Sequence, residues 1–266
     1  MTATVPEFFP IGLSYASVYA LNASGTPLGT GMTAYEGVEL DAPLNFEVTF
    51  PSPRNITHLG NNGVAMKDVL PPSEGSTANL TLSKRDYTMI ALLESTKTYA
   101  VGEATGTLRV TNMQGFEAQF GLLFQQFGKL ADGTRAYRTR IYPKATMLPS
   151  GDGFSQEVTP MTYSVNPSIC AAALWGTAYS TANEGATSGE YQDFISAGRL
   201  LIASFLAGNS DTVFPFAVAR QATGTAKIAV YVDGVLTSAG ITKATTGVTF
   251  TGAPGTGKRV DLVYEW

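Results

Sequence analysis

Apolar residues recur at every second position along much of this chain. In NFEVTF, Phe46, Val48 and Phe50 alternate with Glu47 and Thr49. In FEAQFGLLF, Phe116, Ala118, Phe120, Leu122 and Phe124 share one side, with Glu117, Gln119 and Gly121 on the other. A helix would scatter these aromatics round its girth, whereas a strand lines them up on one face. The turn ADGT (131–134) leads into RAYRTRIYPKATM, where Arg138 and Arg140 oppose Tyr137, Thr139 and Ile141. The two segments predict a long hairpin.

The helical period is clearest in one place. Ser83-Lys84-Arg85-Asp86 resembles a capping box, with Asp in place of Glu, and Met89, Ile90 and Leu93 follow as a stripe. A helix over about 84–95 is expected, and a second over Glu190–Ala197. LLIASFLA (200–207) reads as a buried strand. After Gly208-Asn209-Ser210-Asp211 the texture changes to AKIAVYV, an Asp233-Gly234 turn, GVTFTG and RVDLVYEW. Alternation continues there through Ile228, Val230, Val232 and then Val260, Leu262, Tyr264, Trp266. The expected organisation is a mainly β protein with two units. Residues 1–208 form a large β domain with one flanking helix and a long loop. Residues 209–266 form a small all-β, Ig-like sandwich module, only marginally able to fold alone at about 58 residues.

Composition agrees with a folded β protein. Of 266 residues, 44% are hydrophobic and only 14% charged, which excludes a disordered chain. The net charge of −4 argues against a basic nucleic-acid-binding domain. Cys170 is the single cysteine, so no intrachain disulfide is expected, and its apolar surroundings suit a buried thiol. MTATVPEFFP lacks the basic start of a secretory signal, and no apolar run reaches membrane-spanning length. The expectation is a soluble protein made in a reducing compartment.

Gly252–Arg259, GAPGTGKR, nearly matches the phosphate-binding pattern G-x-x-x-x-G-K-[ST]. That motif needs a helix after it and a hydroxyl to bind magnesium. Here Arg259 replaces the hydroxyl residue, and Val260–Trp266 alternate like a strand. The stretch reads as the loop of a terminal hairpin. His58 is the only histidine, so a zinc site with several histidines is excluded, and NITHLGNNG reads as a polar loop. Glu36, Glu39 and Asp41 read as a strand edge. Dispersed glycosidase carboxylates leave no sequence signature to select. Arg135, Arg138, Arg140 and Lys144 make one strand basic, either as a solvated face or as a contact for an acidic subunit face or for nucleic acid.

The segment PSPRNITHLGNNGVAMKDVLPPSEG (51–75) is a long, proline-punctuated excursion, and loops of this length are usually functional. Pro51, Pro53, Arg54, Ile56, Thr57, His58, Gly60, Asn61, Val64, Leu70, Pro71, Pro72 and Glu74 resemble a segment of the major tail tube proteins of long-tailed bacteriophages. LWGTAY (174–179) and the element order over about 10–208 are also similar. Asn61-Asn62 stands where that family more often has acidic residues.

The resemblance implies a tail-tube-type β-barrel or sandwich. Its subunits form hexameric rings that stack into a hollow tube around a tape measure protein. Tail tip and terminator proteins lie at the ends, and DNA passes without specific binding. The protein would belong to the virion, assembled in the cytoplasm of a bacterial host, with no catalytic residues, metal, cofactor or membrane partner. It also implies an inter-ring loop carrying Pro53, Arg54, Ile56, His58, Asn61, Lys67, Asp68, Leu70, Pro71 and Glu74, ordering on assembly. Arg135, Arg138 and Arg140 would make charge contacts between subunits. Through residue 208 there are 17 acidic and 12 basic residues, so an acidic bore is a natural expectation. Two other readings stay open. One is a capsid decoration or carbohydrate-binding module using Tyr231 or Tyr264. The other is a β-sandwich hydrolase with dispersed carboxylates.

Overall fold

The computed structural model describes residues 7–22, 25, 27, 33–40, 43–50, 52, 54–60, 63–70, 76–83, 97–100, 107–110, 119–151, 160–168 and 192–266. The fold is mainly β. In chain order the strands are β1 (Phe8–Ala20), β2 (Val38–Glu39), β3 (Pro43–Thr49), β4 (Arg54–Gly60), β5 (Gly63–Leu70), β6 (Thr77–Leu82), β7 (Lys97–Ala100), β8 (Thr107–Val110), β9 (Gln119–Leu130), β10 (Arg135–Gly151) and β11 (Met161–Pro167). They continue with β12 (Gln192–Ser196), β13 (Leu200–Leu206), β14 (Val213–Pro215), β15 (Ile228–Val232), β16 (Val235–Leu236), β17 (Ile241–Ala244), β18 (Gly247–Phe250) and β19 (Arg259–Glu265). A 3-10 turn at Thr225–Lys227 precedes β15.

The main antiparallel sheet runs β2-β1-β9-β10-β11-β6-β3, and β12 also pairs β10. The hairpin read from the sequence is its spine: β9 and β10 pair from Gln119↔Thr146 down to Lys129↔Arg135. At the tip, the Asp132 carboxylate accepts the Thr134 amide at 2.8 Å, and Gly133 takes a left-handed φ of 83°. Along its other edge, β10 pairs β12 at residues 137–141 and β11 at residues 145–151.

The centre of the sheet is buried on both faces. Ala16, Val18, Phe120, Leu122, Phe124 and Tyr142 belong to one apolar cluster, together with Leu80, Leu82, Tyr163 and Val165 of β6 and β11. Phe46 of β3 folds over this cluster and stacks on Phe124, with ring centroids 3.8 Å apart. The sheet therefore curls back on itself. Its margins β1 and β3 approach each other without pairing, so among the described residues the sheet does not close into a barrel. The alternate residues Tyr15, Tyr19, Leu123 and Ile141 join a second cluster built mostly from residues after 200. An amphipathic pattern that carries apolar residues on its second face as well marks a strand covered twice.

That second cluster is the core of a small sandwich. Sheet β13-β19-β15-β16 faces sheet β14-β18-β17, with Phe205 edge-on to Phe214 and Phe214 edge-on to Phe250, each pair at 5.4 Å. The Asp233-Gly234 turn between β15 and β16 appears as expected, with both residues at positive φ.

Several expectations need correction. The boundary at 208/209 is misplaced: β13 pairs β19 residue for residue, from Leu200↔Glu265 to Leu206↔Arg259. The sandwich therefore begins at Leu200. Nor is it merely appended, because it shares its core with the main sheet. GAPGTGKR is not a hairpin loop but an arch that carries the chain from one sheet of the sandwich to the other. The helix expected over Glu190–Ala197 is replaced at Gln192–Ser196 by β12, where pairing with β10 overrides local preference. The excursion 51–75 is not an irregular loop, since most of it is the β4–β5 ribbon. The helix expected over 84–95, Cys170 and the LWGTAY stretch lie outside the described residues.

Candidate assembly surface

The β4–β5 ribbon holds most of the residues expected at an inter-ring loop. Arg54, Ile56 and His58 lie on β4, opposite Leu70, Asp68 and Met66, and Lys67 is opposite Thr57. Pro53, Asn61, Pro71 and Glu74 lie outside the described residues. The ribbon interrupts the β3–β6 pair: it leaves and re-enters the main sheet beyond Thr49↔Thr77, so its two roots start side by side. Among the described residues β4 and β5 pair only with each other. Seven or eight residues at about 3.3 Å each make an arm about 25 Å long. A two-stranded ribbon is marginal in water by itself, and its two unpaired edges are templates for another strand.

The basic strand resolves into two groups. Arg138 and Arg140 do not wait for a neighbouring subunit: both reach Asp193 of β12 within the same chain. Arg140 grips both carboxylate oxygens at 2.8 and 2.7 Å, and Arg138 bonds Oδ2 at 2.6 Å. The register explains this, for Arg140 and Asp193 are direct cross-strand partners. Burial pushes the Asp193 carboxyl up, but hydrogen bonds from Arg140 and then Arg138 prevail and hold it below the usual carboxylate range. Within the chain, then, Arg138 and Arg140 already share one acidic partner, and any contact they make between subunits would add to that pair. Arg135 has a different setting, with its guanidinium 4.6 Å from the centroid of Phe127.

The margins of the curled sheet offer a third feature. β2 covers β1 only at Ser17 and Val18, so most of β1 presents a bare edge among the described residues. Phe9 and Ile11 there are 56% and 62% exposed. Between the margins lies a cleft of about 340 Å³, floored by Phe46 and Phe124 and bordered by Gln126, Arg138 and Arg140.

The seam between main sheet and sandwich is densely bonded. Tyr19 donates its hydroxyl to the Ile202 carbonyl at 3.1 Å, and the buried Gln125 side-chain amide donates to the Leu200 carbonyl. Tyr35 and Ser204 exchange two backbone bonds of 3.0 Å. Arg220 reaches Glu39 at 2.5 Å and Glu36 at 3.5 Å, while its guanidinium lies over Trp266. Glu36 and Glu39, read in the sequence as an ordinary strand edge, are thus acidic anchors for the sandwich. Their partner lies some 180 residues away, beyond any local signal.

Other residues that the sequence singles out are held by contacts within the fold. Lys258 of the phosphate-loop look-alike is bound to Asp233 at 2.6 Å, and a strand follows it. Tyr264, a candidate sugar platform, is buried, and Tyr231 is half-buried. Among the described residues no group of three His, Cys, Asp or Glu is placed to hold a metal ion, and no helix is long and apolar enough to cross a membrane. No protein-family model matches the chain, and no curated protein is similar to it in sequence.

Proposed function

We propose that the chain is a structural, non-enzymatic subunit that self-associates into stacked rings, as in the tail tubes that its segment 51–75 resembles. The observation that carries this reading is the β4–β5 arm, a ribbon about 25 Å long, rooted in the margin of a curled sheet, whose strands pair only with each other among the described residues. Such an arm gains its missing strand or surface from another copy. The bare edge of β1 and the unpaired approach of β1 to β3 support joining of subunits around a ring, which would remove open edges. In this reading rings are hexameric and the tape measure protein fills the bore. Tail tip and terminator proteins cap the tube, DNA passes without specific contacts, and the assembly belongs to a phage virion.

Negative-stain microscopy of the purified full chain over rising concentration tests the reading. Rings or tubes are the expected result. Replacing residues 54–70 by a short Gly-Ser turn should leave a folded protein that no longer forms them. Tubes from that variant would overturn the role of the arm, and a glycan-binding or glycoside-cleaving activity would overturn the reading as a whole.

A further inference from the structure

Among the described residues, one part of the main sheet is left uncovered on the side where the sandwich packs. The sandwich covers that face near Tyr19, Leu123, Gln125 and Ile141 and stops there. Beyond it the register sets Tyr137 against Phe127, and Lys129 against both Phe9 and Arg135. Residues directly opposite on neighbouring strands project to the same side, so these five form one ledge, with Arg199 at its upper border.

The ledge has an unusual electrostatic makeup. Its arginines are held by rings rather than by acids. Arg135 lies over Phe127 at 4.6 Å, and Arg199 lies over Tyr137 at 6.0 Å and Trp266 at 5.7 Å. Phe127 and Tyr137 pack together at 5.7 Å. Among the described residues no carboxylate forms an ion pair with Lys129, Arg135 or Arg199. On the opposite face of the same strands, Arg138 and Arg140 have already found Asp193. Cations fixed over aromatic rings, with their outer hydrogen-bond donors unspent, are the raw material of protein-binding hot spots.

The chain as a whole carries a net charge of −4, so three unpaired cations on one ledge leave the rest of its surface more acidic still. We infer that this ledge docks the acidic surface of a second copy of the chain. The inference rests on the assembly reading above and names the charge contact within it. Two ledges facing each other would repel, so the ledge meets a different patch of the second copy, and where that contact is heterologous it builds rings or filaments rather than a simple pair. Association through it weakens with salt, because exposed charge pairs are screened.

The test is Lys129→Glu combined with Arg135→Glu, at two exposed positions. Self-association of the full chain is read by sedimentation velocity and microscopy, with circular dichroism to confirm folding. The wild type should associate, more strongly at low salt, and the double variant should lose at least about tenfold in association constant, the scale of a disrupted charged contact. If the double variant does not fold, Lys129→Gln with Arg135→Gln should show a smaller loss in the same direction. Association of a folded variant as tight as wild type overturns the ledge; if it still forms tubes, the tube reading survives. Charge-sensitive filaments without rings uphold the ledge and overturn the tube reading. A wild type monomeric at every concentration overturns the second copy as occupant. So does tight binding of a labelled oligothymidylate that the variant loses, which would make the ledge a nucleic-acid site.

Discussion

Tyr264 donates its hydroxyl to Glu36 at 2.8 Å, joining the last strand of the chain to the connection between β1 and β2. Glu36 also faces Arg220, so a phenol and a guanidinium share one carboxylate at the seam. Tyr264 stacks on Phe216 at 4.0 Å and is otherwise buried. Tyr264→Phe keeps the stacking and removes only the hydrogen bond, so a loss of about 1–2 kcal/mol in urea unfolding is expected. Glu36→Ala should cost more, because it leaves the buried hydroxyl without its acceptor.

Alkaline pH should open the same seam. Burial raises the hydroxyls of Tyr15, Tyr19 and Tyr35 above 10.0, and burial followed by the Glu36 charge raises Tyr264. The folded state then holds protons that the unfolded chain releases. Stability is complete below pH 10 and falls as pH rises beyond it. Unfolding followed by fluorescence should coincide with tyrosinate absorbance in one steep alkaline transition, and Tyr264→Phe should soften it.

Asp193 gives the opposite sign. Its folded carboxyl is held below 3.8 by Arg140 and Arg138 despite burial. The pair therefore stabilises the protein above the unfolded carboxylate's range, and the benefit is lost as pH falls through the folded value. Asp193→Asn should cost about 1 kcal/mol at neutral pH, the scale of a partly exposed ion pair with good geometry. Arg140→Ala should exceed Arg138→Ala, since only Arg140 grips both oxygens. Urea titrations at neutral and acid pH would read both effects.

Gly128 guards the lower part of β1. A Cβ there would lie 2.3 Å from the Phe9 carbonyl oxygen and 2.5 Å from the Phe8 ring. The ring can move, but the carbonyl belongs to the β1–β9 ladder. Gly128→Ala should destabilise by about 1–3 kcal/mol, as overpacking does, and loosen the β1–β9 ladder near Phe9. Amide exchange at residues 8–12 would reveal the loosening.

The corrected boundary predicts how the chain can be cut. A fragment beginning at 209 lacks β13, the seven-residue partner of β19, and should remain unfolded by circular dichroism. A fragment beginning at about 198 regains that strand and should gain structure, though its seam with Tyr19 stays uncovered.

Much of this architecture is legible in the sequence where contacts are local. The ADGT turn and the alternation on either side give the β9–β10 hairpin. Asp233-Gly234 gives β15–β16, and the alternating Val260–Trp266 exclude a phosphate-binding helix after GAPGTGKR. What escapes is set by partners far away. β12 is short and polar, and becomes a strand because β10 offers it an edge and two arginines. β13 precedes a strong turn signal at 208–211, which hides that its partner begins at Arg259. The β4–β5 ribbon lacks clean alternation and is framed by prolines, so it looks like a loop. In the candidate surface, the basic strand is visible as a run of charges. That it divides between its two faces, neutralised on one and ring-supported on the other, depends on where Asp193 and Phe127 sit.

β10 changes partners along one edge, from β12 to β11, and its register with β9 slips between Tyr142 and Ala145. Pro143 sits in that gap and has no amide to contribute. The strand is therefore two stiff levers sharing one elbow. The β9 ladder is interrupted at this elbow, although the Lys144 carbonyl still accepts the Ser168 amide at 2.9 Å, so a tilt of the tip at Arg135 relative to the curled half around Met147 would concentrate there.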